Sequence, residues 1–127
     1  MVFHKQVLIK AFANKAPQTS EEELNKWLES LAAAINMNIV IPPRSKFVST
    51  LGNAGLTGSV NIETSHIALH IWNEDFPNRI ELDVYSCKEF EVSTVLNKLR
   101  EWDLVSYHYW VIDRNGDKFN LIAMGNG

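Results

Sequence analysis

From Leu56 to Cys87 apolar and polar residues alternate in three short runs, and this pattern constrains the fold more than any other part of the chain. Leu56, Gly58, Val60 and Ile62 alternate with Thr57, Ser59 and Asn61, the period of a half-buried strand. Ile67, Leu69 and Ile71 repeat the pattern and leave His66, Ala68 and His70 on the opposite face. A third run, Ile80 to Cys87, puts Glu81, Asp83, Tyr85 and Cys87 on one side. Neighbouring strands of this kind are expected to bring their polar faces to a single site.

The flanking segments complete the pattern. Val7 to Phe12 reads as a first strand. Ser20, with Glu23 three residues on, predicts a capped helix over 20–36 whose apolar stripe is Leu24, Trp27, Leu28, Leu31 and Ile35. Asn38 to Ile41 predicts a short strand ended by Pro42 and Pro43, because proline brings no ladder donor. Arg44 to Gly55 is expected to be the loosest part, with a mobile loop at Gly52-Asn53-Ala54-Gly55. Phe90, Val92, Val95, Leu96 and Leu99 predict a second helix near 89–101. Two last strands, Val105 to Ile112 and Phe119 to Met124, would be joined by Asn115-Gly116 as a type I′ turn. The element order predicts one α+β domain over residues 1–127: a two-layer sandwich with a mainly antiparallel sheet and two helices packed on one face.

Composition narrows the function classes. A chain of 127 residues forms one modest core, and its net charge of −3 with scattered Lys and Arg argues against nucleic acid. A single cysteine allows no internal disulfide. The start, Met1-Val2-Phe3-His4-Lys5, has no signal-peptide pattern and the apolar runs are too short for a membrane, so a cytoplasmic protein is expected. Taken alone, strand histidines are more often structural than catalytic, and a lone cysteine is usually a small buried hydrophobe. Trp27 and Trp72 read as core or interface anchors. His66 and His70 on a strand are second neighbours without further clustered ligands, so no metal is expected. Ser65, His70 and Asp83 admit a Ser/His/acid hydrolase, against which stands the absence of a Gly-x-Ser-x-Gly elbow. Tyr107, Tyr109 and Trp110 predict an exposed aromatic surface and hence self-association.

One resemblance sharpens this. Thr64-Ser65-His66-Ile67-Ala68-Leu69-His70-Ile71-Trp72-Asn73-Glu74, then Leu82-Asp83-Val84-Tyr85-Ser86-Cys87, resembles the signature of the small prokaryotic S-adenosylmethionine decarboxylases: Glu-Ser-His, a short apolar run, His, x-Trp-Pro-Glu, and later Asp-Val-x-Thr-Cys. Upstream, Gly55-Leu56-Thr57-Gly58 is similar to the family's Gly-Val-Ser-Gly at the same distance before the serine.

The resemblance implies a proenzyme that cuts its own backbone between Thr64 and Ser65. The Ser65 hydroxyl attacks the preceding carbonyl, and elimination of the ester leaves a pyruvoyl group at the new N-terminus. That group serves as the cofactor, taking the amine of S-adenosylmethionine or a related amino acid and accepting electrons as carbon dioxide leaves, in service of spermidine and other polyamine synthesis. It further implies that Thr57 and His70 assist the cleavage, that Cys87 returns a proton to the α-carbon, and that Glu74 holds the ribose hydroxyls. A symmetric homodimer with residues of both protomers near each site is also implied.

Four departures accompany the match. Thr64 stands where the family has glutamate, Asn73 where it has proline, and Lys88 where a glycine follows the cysteine; the Trp72–Asp83 connection is two residues longer. The family's adenine-facing aromatic has no clear counterpart, Phe47 being nearest in sequence. A second reading is therefore an uncleaved, catalytically inactive homologue serving as a ligand-binding or partner subunit.

Overall fold

The computed structural model of the protein describes residues 4–127, so residues 1–3 of the start read above lie outside the described part. The elements follow one another as β1 (Lys5–Ala13), α1 (Glu21–Ala34), β2 (Ile39–Val48), β3 (Gly55–Ile62), β4 (Ser65–Trp72), β5 (Asn78–Ser86), α2 (Val92–Arg100), β6 (Leu104–Asp113) and β7 (Asn120–Asn126). Among the described residues the seven strands make one antiparallel sheet in the order β2-β3-β4-β5-β1-β6-β7. The two helices cover one of its faces, giving the α+β sandwich expected. Neither helix is long and apolar enough to cross a membrane.

The helices form where the stripes placed them. Ser20 caps α1, its hydroxyl accepting the Glu23 N–H at 3.1 Å, with Glu21, Glu22 and Glu23 in the first turn where the dipole favours acids. Leu24, Leu28 and Leu31 are fully buried, each worth about 1.5–3 kcal/mol of apolar burial. Trp27 stacks on Trp102 with ring centroids 4.1 Å apart, joining α1 to the end of α2. Buried Lys5 donates to the Glu89 carboxylate and the Phe90 carbonyl, so its charge is paired where the chain enters α2.

Both glycines of Gly55-Leu56-Thr57-Gly58 have a steric reason. Gly58 lies under α1: a Cβ there would stand 2.9 Å from the Leu24 side chain and 2.6 Å from Ser45 Oγ. Gly55 has φ +144°, and a Cβ on it would meet the Ile71 carbonyl oxygen at 1.7 Å.

Three local expectations are corrected. β2 does not stop at Pro42 and Pro43 but continues to Val48. It is an edge strand whose register shifts between Ile41 and Arg44, so the two missing donors fall where no ladder bond is needed. Asn115 and Gly116 do not form a type I′ turn; neither has positive φ, and the connection runs from Arg114 to Phe119. Side-chain and strand contacts shape it instead: the Asn115 N–H donates to Asp113 Oδ1 and the Arg114 N–H to the His4 carbonyl, both at 2.8 Å. Tyr107 and Tyr109 are not an exposed surface. They pack against the core, leaving Trp110, 44% exposed, on the other face.

Replacing Gly58 with valine should destabilise the fold by about 1–3 kcal/mol, because the branched side chain must displace Leu24 and Leu28 from the sheet. Urea denaturation of parent and variant checks this.

Candidate active site

The polar faces of β3, β4 and β5 do share one side of the sheet, the side without helices. Adjacent strands pair Thr57 with His70 and His70 with Glu81, Ser59 with Ala68 and Ala68 with Asp83, and Asn61 with His66 and His66 with Tyr85. Along the strands, however, the candidate residues separate into two groups. Ser65, Thr64 and Cys87 lie at one end; Thr57, His70 and Glu74 lie at the other. Ser65 and His70 are five positions apart on β4, about 17 Å at the rise of a strand.

The first group forms at the β3–β4 turn. Ile62 pairs with Ser65, and Glu63-Thr64 make the connection. The Thr64 hydroxyl donates to the Cys87 sulfur, bridging the turn to the residue just after β5. Ser65 shares its face with Ile67, and its Oγ is buried with no hydrogen-bond partner among the described residues. An unpaired buried hydroxyl costs about 1–3 kcal/mol. An open cleft of about 490 Å³ lies beside it, lined by residues that include Thr64, Ser65, His66, Tyr85 and Arg114.

A polar chain not foreseen from the sequence backs this cleft. His66 Nε2 lies 3.2 Å from Asp83 Oδ2, and Asp83 Oδ1 accepts from Gln6 Nε2 at 2.9 Å. Gln6 Oε1 in turn accepts from Arg114 Nη1 at 3.3 Å, and the Arg114 guanidinium lies over the Tyr85 ring at 4.0 Å. The alternation of β4 and β5 held a signal for the His66–Asp83 contact, since both residues face the open side. Gln6 and Arg114 lie on β1 and just after β6, so only the sheet order brings them in.

The second group sits at the far end of β4. His70 Nε2 lies 3.1 Å from the Asn53 carbonyl oxygen, and its ring meets Trp72 edge-on, centroids 4.4 Å apart. The Glu74 carboxylate accepts the Gly52 N–H at 2.9 Å and the Ala54 N–H at 3.0 Å. Thr57 and His70 also line a second open cleft, of about 480 Å³, with Arg44, Lys46 and Glu81. The longer β4–β5 connection is held by fully buried Asn78, which donates to the Asp75 carbonyl at 3.0 Å and accepts from Gln18 at 2.6 Å. Phe47 is packed against the core.

These contacts also dispose of the hydrolase alternative. Asp83 is engaged by His66, His70 by Asn53, and Ser65 by neither, so the three do not form a relay. No group of three or more His, Cys, Asp or Glu side chains is placed to hold a metal ion among the described residues.

Compared with known proteins, residues 6–114 match the family model described as S-adenosylmethionine decarboxylase. No curated protein matches the chain.

Because the Thr64 hydroxyl donates to the Cys87 sulfur, and such a donor supports the nucleophilic form of a thiol, Thr64→Ala should make Cys87 react several-fold more slowly with an alkylating reagent while the fold persists. Alkylation followed by mass spectrometry under native conditions checks it.

Proposed function

The chain thus belongs to the S-adenosylmethionine decarboxylase family, and from that premise we propose that it cuts itself between Thr64 and Ser65 and decarboxylates S-adenosylmethionine, or a related amino acid, for polyamine synthesis. The observation that carries this reading is the Ser65 hydroxyl, buried and unpartnered at a turn whose preceding residue is bonded to Cys87. These residues fit the family's pyruvoyl group. Ser65 Oγ has no competing hydrogen bond, so it is free to attack the Thr64 carbonyl carbon; a C–O bond forms as the peptide C–N bond breaks, and the freed amine takes the hydroxyl proton. Elimination then expels the Thr64 carboxylate and leaves an enamine, which water converts to the pyruvoyl group with release of ammonia. The pyruvoyl group, once formed, supplies the carbonyl that withdraws electrons during loss of carbon dioxide. Cys87, adjacent to that position, is suited to hand a proton to the product carbon.

His70 on β4, and Thr57 paired with it on β3, are too far from Ser65 to assist it within one protomer. The separation supports a homodimer in which the open sheet faces stack, about 10 Å apart as facing sheets do. A two-fold axis crossing the strands near Ala68 would set the Ser65–Cys87 end of one protomer against the Thr57–His70 end of its partner. Exposed Leu8, Phe12 and Trp110 lie on that face and supply apolar surface for such a contact. His70 would then serve as the proton-transfer group, and Thr57 as the hydrogen-bonding hydroxyl, across the interface.

The uncleaved alternative draws on one observation. Thr64 puts a branched Cβ beside the carbonyl to be attacked and binds Cys87 through its hydroxyl, so it stiffens the turn that has to react. Intact mass separates the readings: a single 14.5 kDa species supports the alternative, and two fragments meeting at Thr64/Ser65 support processing.

Ser65→Ala should abolish cleavage and leave the fold intact, because it removes only the nucleophilic oxygen; fragments from this variant would remove Ser65 from the mechanism. Co-expression of Ser65→Ala with His70→Ala tests the dimer. Each variant alone should stay uncut, whereas the mixed dimer has one site with both residues native and should yield fragments. An absence of fragments from the mixture, or a monomer by light scattering, would count against sites shared between protomers.

A further inference from the structure

We propose that Glu74 and the Gly52–Ala54 segment form a positioning device for His70, so that Glu74 acts on cleavage as well as on any substrate. The inference rests on the proposed function, in which His70 moves a proton during processing, and goes beyond the ribose-binding role that the resemblance implies for Glu74. Five contacts converge on one short segment. Both Glu74 oxygens accept backbone N–H groups, from Gly52 and Ala54. The Ala54 carbonyl accepts the Asn73 N–H at 2.9 Å. The Asn53 side-chain oxygen accepts Trp72 Nε1 at 3.3 Å. Between these points, the Asn53 backbone carbonyl meets His70 Nε2 at 3.1 Å.

That last contact decides the tautomer. A carbonyl oxygen only accepts, so Nε2 must carry the proton and the neutral ring keeps its lone pair on Nδ1. Trp72, edge-on to the imidazole and itself bonded to Asn53, limits rotation of the ring. His70 therefore resembles the base of a relay whose orienting partner is a main-chain oxygen, and the position of that oxygen depends on Glu74. Hydrogen bonds to a carboxylate are stronger than neutral ones, and two of them share one carboxylate here. Gly52 (φ +90°) and Gly55 (φ +144°) bracket the segment in conformations that other residues rarely adopt. The segment expected to be a mobile loop is tied through Asn53 to β4 and through Gly52 and Ala54 to Asn73 and Glu74 just after it.

Two measurements test this. In a Ser65→Ala background, which keeps the chain whole, long-range ¹H–¹⁵N NMR reads the His70 tautomer, and amide exchange reads Gly52 and Ala54. The Nε2–H form should dominate, and adding Glu74→Ala should mix the tautomers and speed exchange of the two amides about tenfold or more. An unchanged tautomer and unchanged exchange would overturn the inference. In the Ser65 chain without any substrate, Glu74→Ala should slow the appearance of fragments about tenfold or more, since small misplacements of reacting groups are costly. Glu74→Gln, which keeps one neutral acceptor oxygen and loses the other, should fall between parent and alanine variant. A cleavage time course that neither variant alters would return Glu74 to substrate binding alone and overturn the inference. A parent chain never cut would count against the proposed function, with the tautomer measurement still deciding the role of Glu74.

Discussion

The register between β3 and β4 is the constraint on which the rest of the molecule depends. Pairing Ile62 with Ser65 across a two-residue connection commits Thr57 to His70 and Asn61 to His66. A slip of one residue would turn Ile67, Leu69 and Ile71 out of the core and bring both histidines into it, so the apolar pattern and the polar face enforce each other. The two glycines of β3 reinforce that choice. Gly58 admits the leucines of α1, and Gly55 admits the Ile71 carbonyl, at positions where any side chain would push the strand out of line.

Charge contributes little to holding this arrangement. The His66 and Asp83 side chains are 37% and 34% exposed, and the pairs of Glu81 with Lys10 and Arg79 are more exposed still. Pairs in such settings contribute roughly 0–1 kcal/mol. The ladders and the helix-covered core set where the polar groups stand, and those groups are left free to take part in chemistry.

How far the sequence reveals this depends on the range of the interaction. Period-two alternation carried the three central strands and the face of each histidine, and the Ser20 cap with its apolar stripe carried α1, because both follow from neighbours a few residues apart. Pro42-Pro43 misled, since whether a missing donor matters depends on the strand lying at an edge, which is a property of the whole sheet. Asn115-Gly116 misled because Asp113 and the His4 carbonyl impose a wider connection than the dipeptide prefers. Among the candidate site residues, the alternation placed Thr57, His70 and Cys87 on one face but could not give their distances along it. The His66–Asp83–Gln6–Arg114 chain spans three strands and the segment after β6, and Glu74 reaches back across a loop to main-chain groups. No local pattern encodes either.

The strand order has one more consequence. β1, from the first half of the chain, lies between β5 and β6 from the second half and is hydrogen-bonded to both along nearly its whole length. A break at Thr64/Ser65 would sever the covalent connection at a surface turn and leave these ladders untouched. The two resulting polypeptides would be threaded through each other's hydrogen bonding, neither holding a complete sheet by itself. Such a nicked protein would keep its shape with no bond joining its halves, and strong denaturant rather than dilution would be needed to part them.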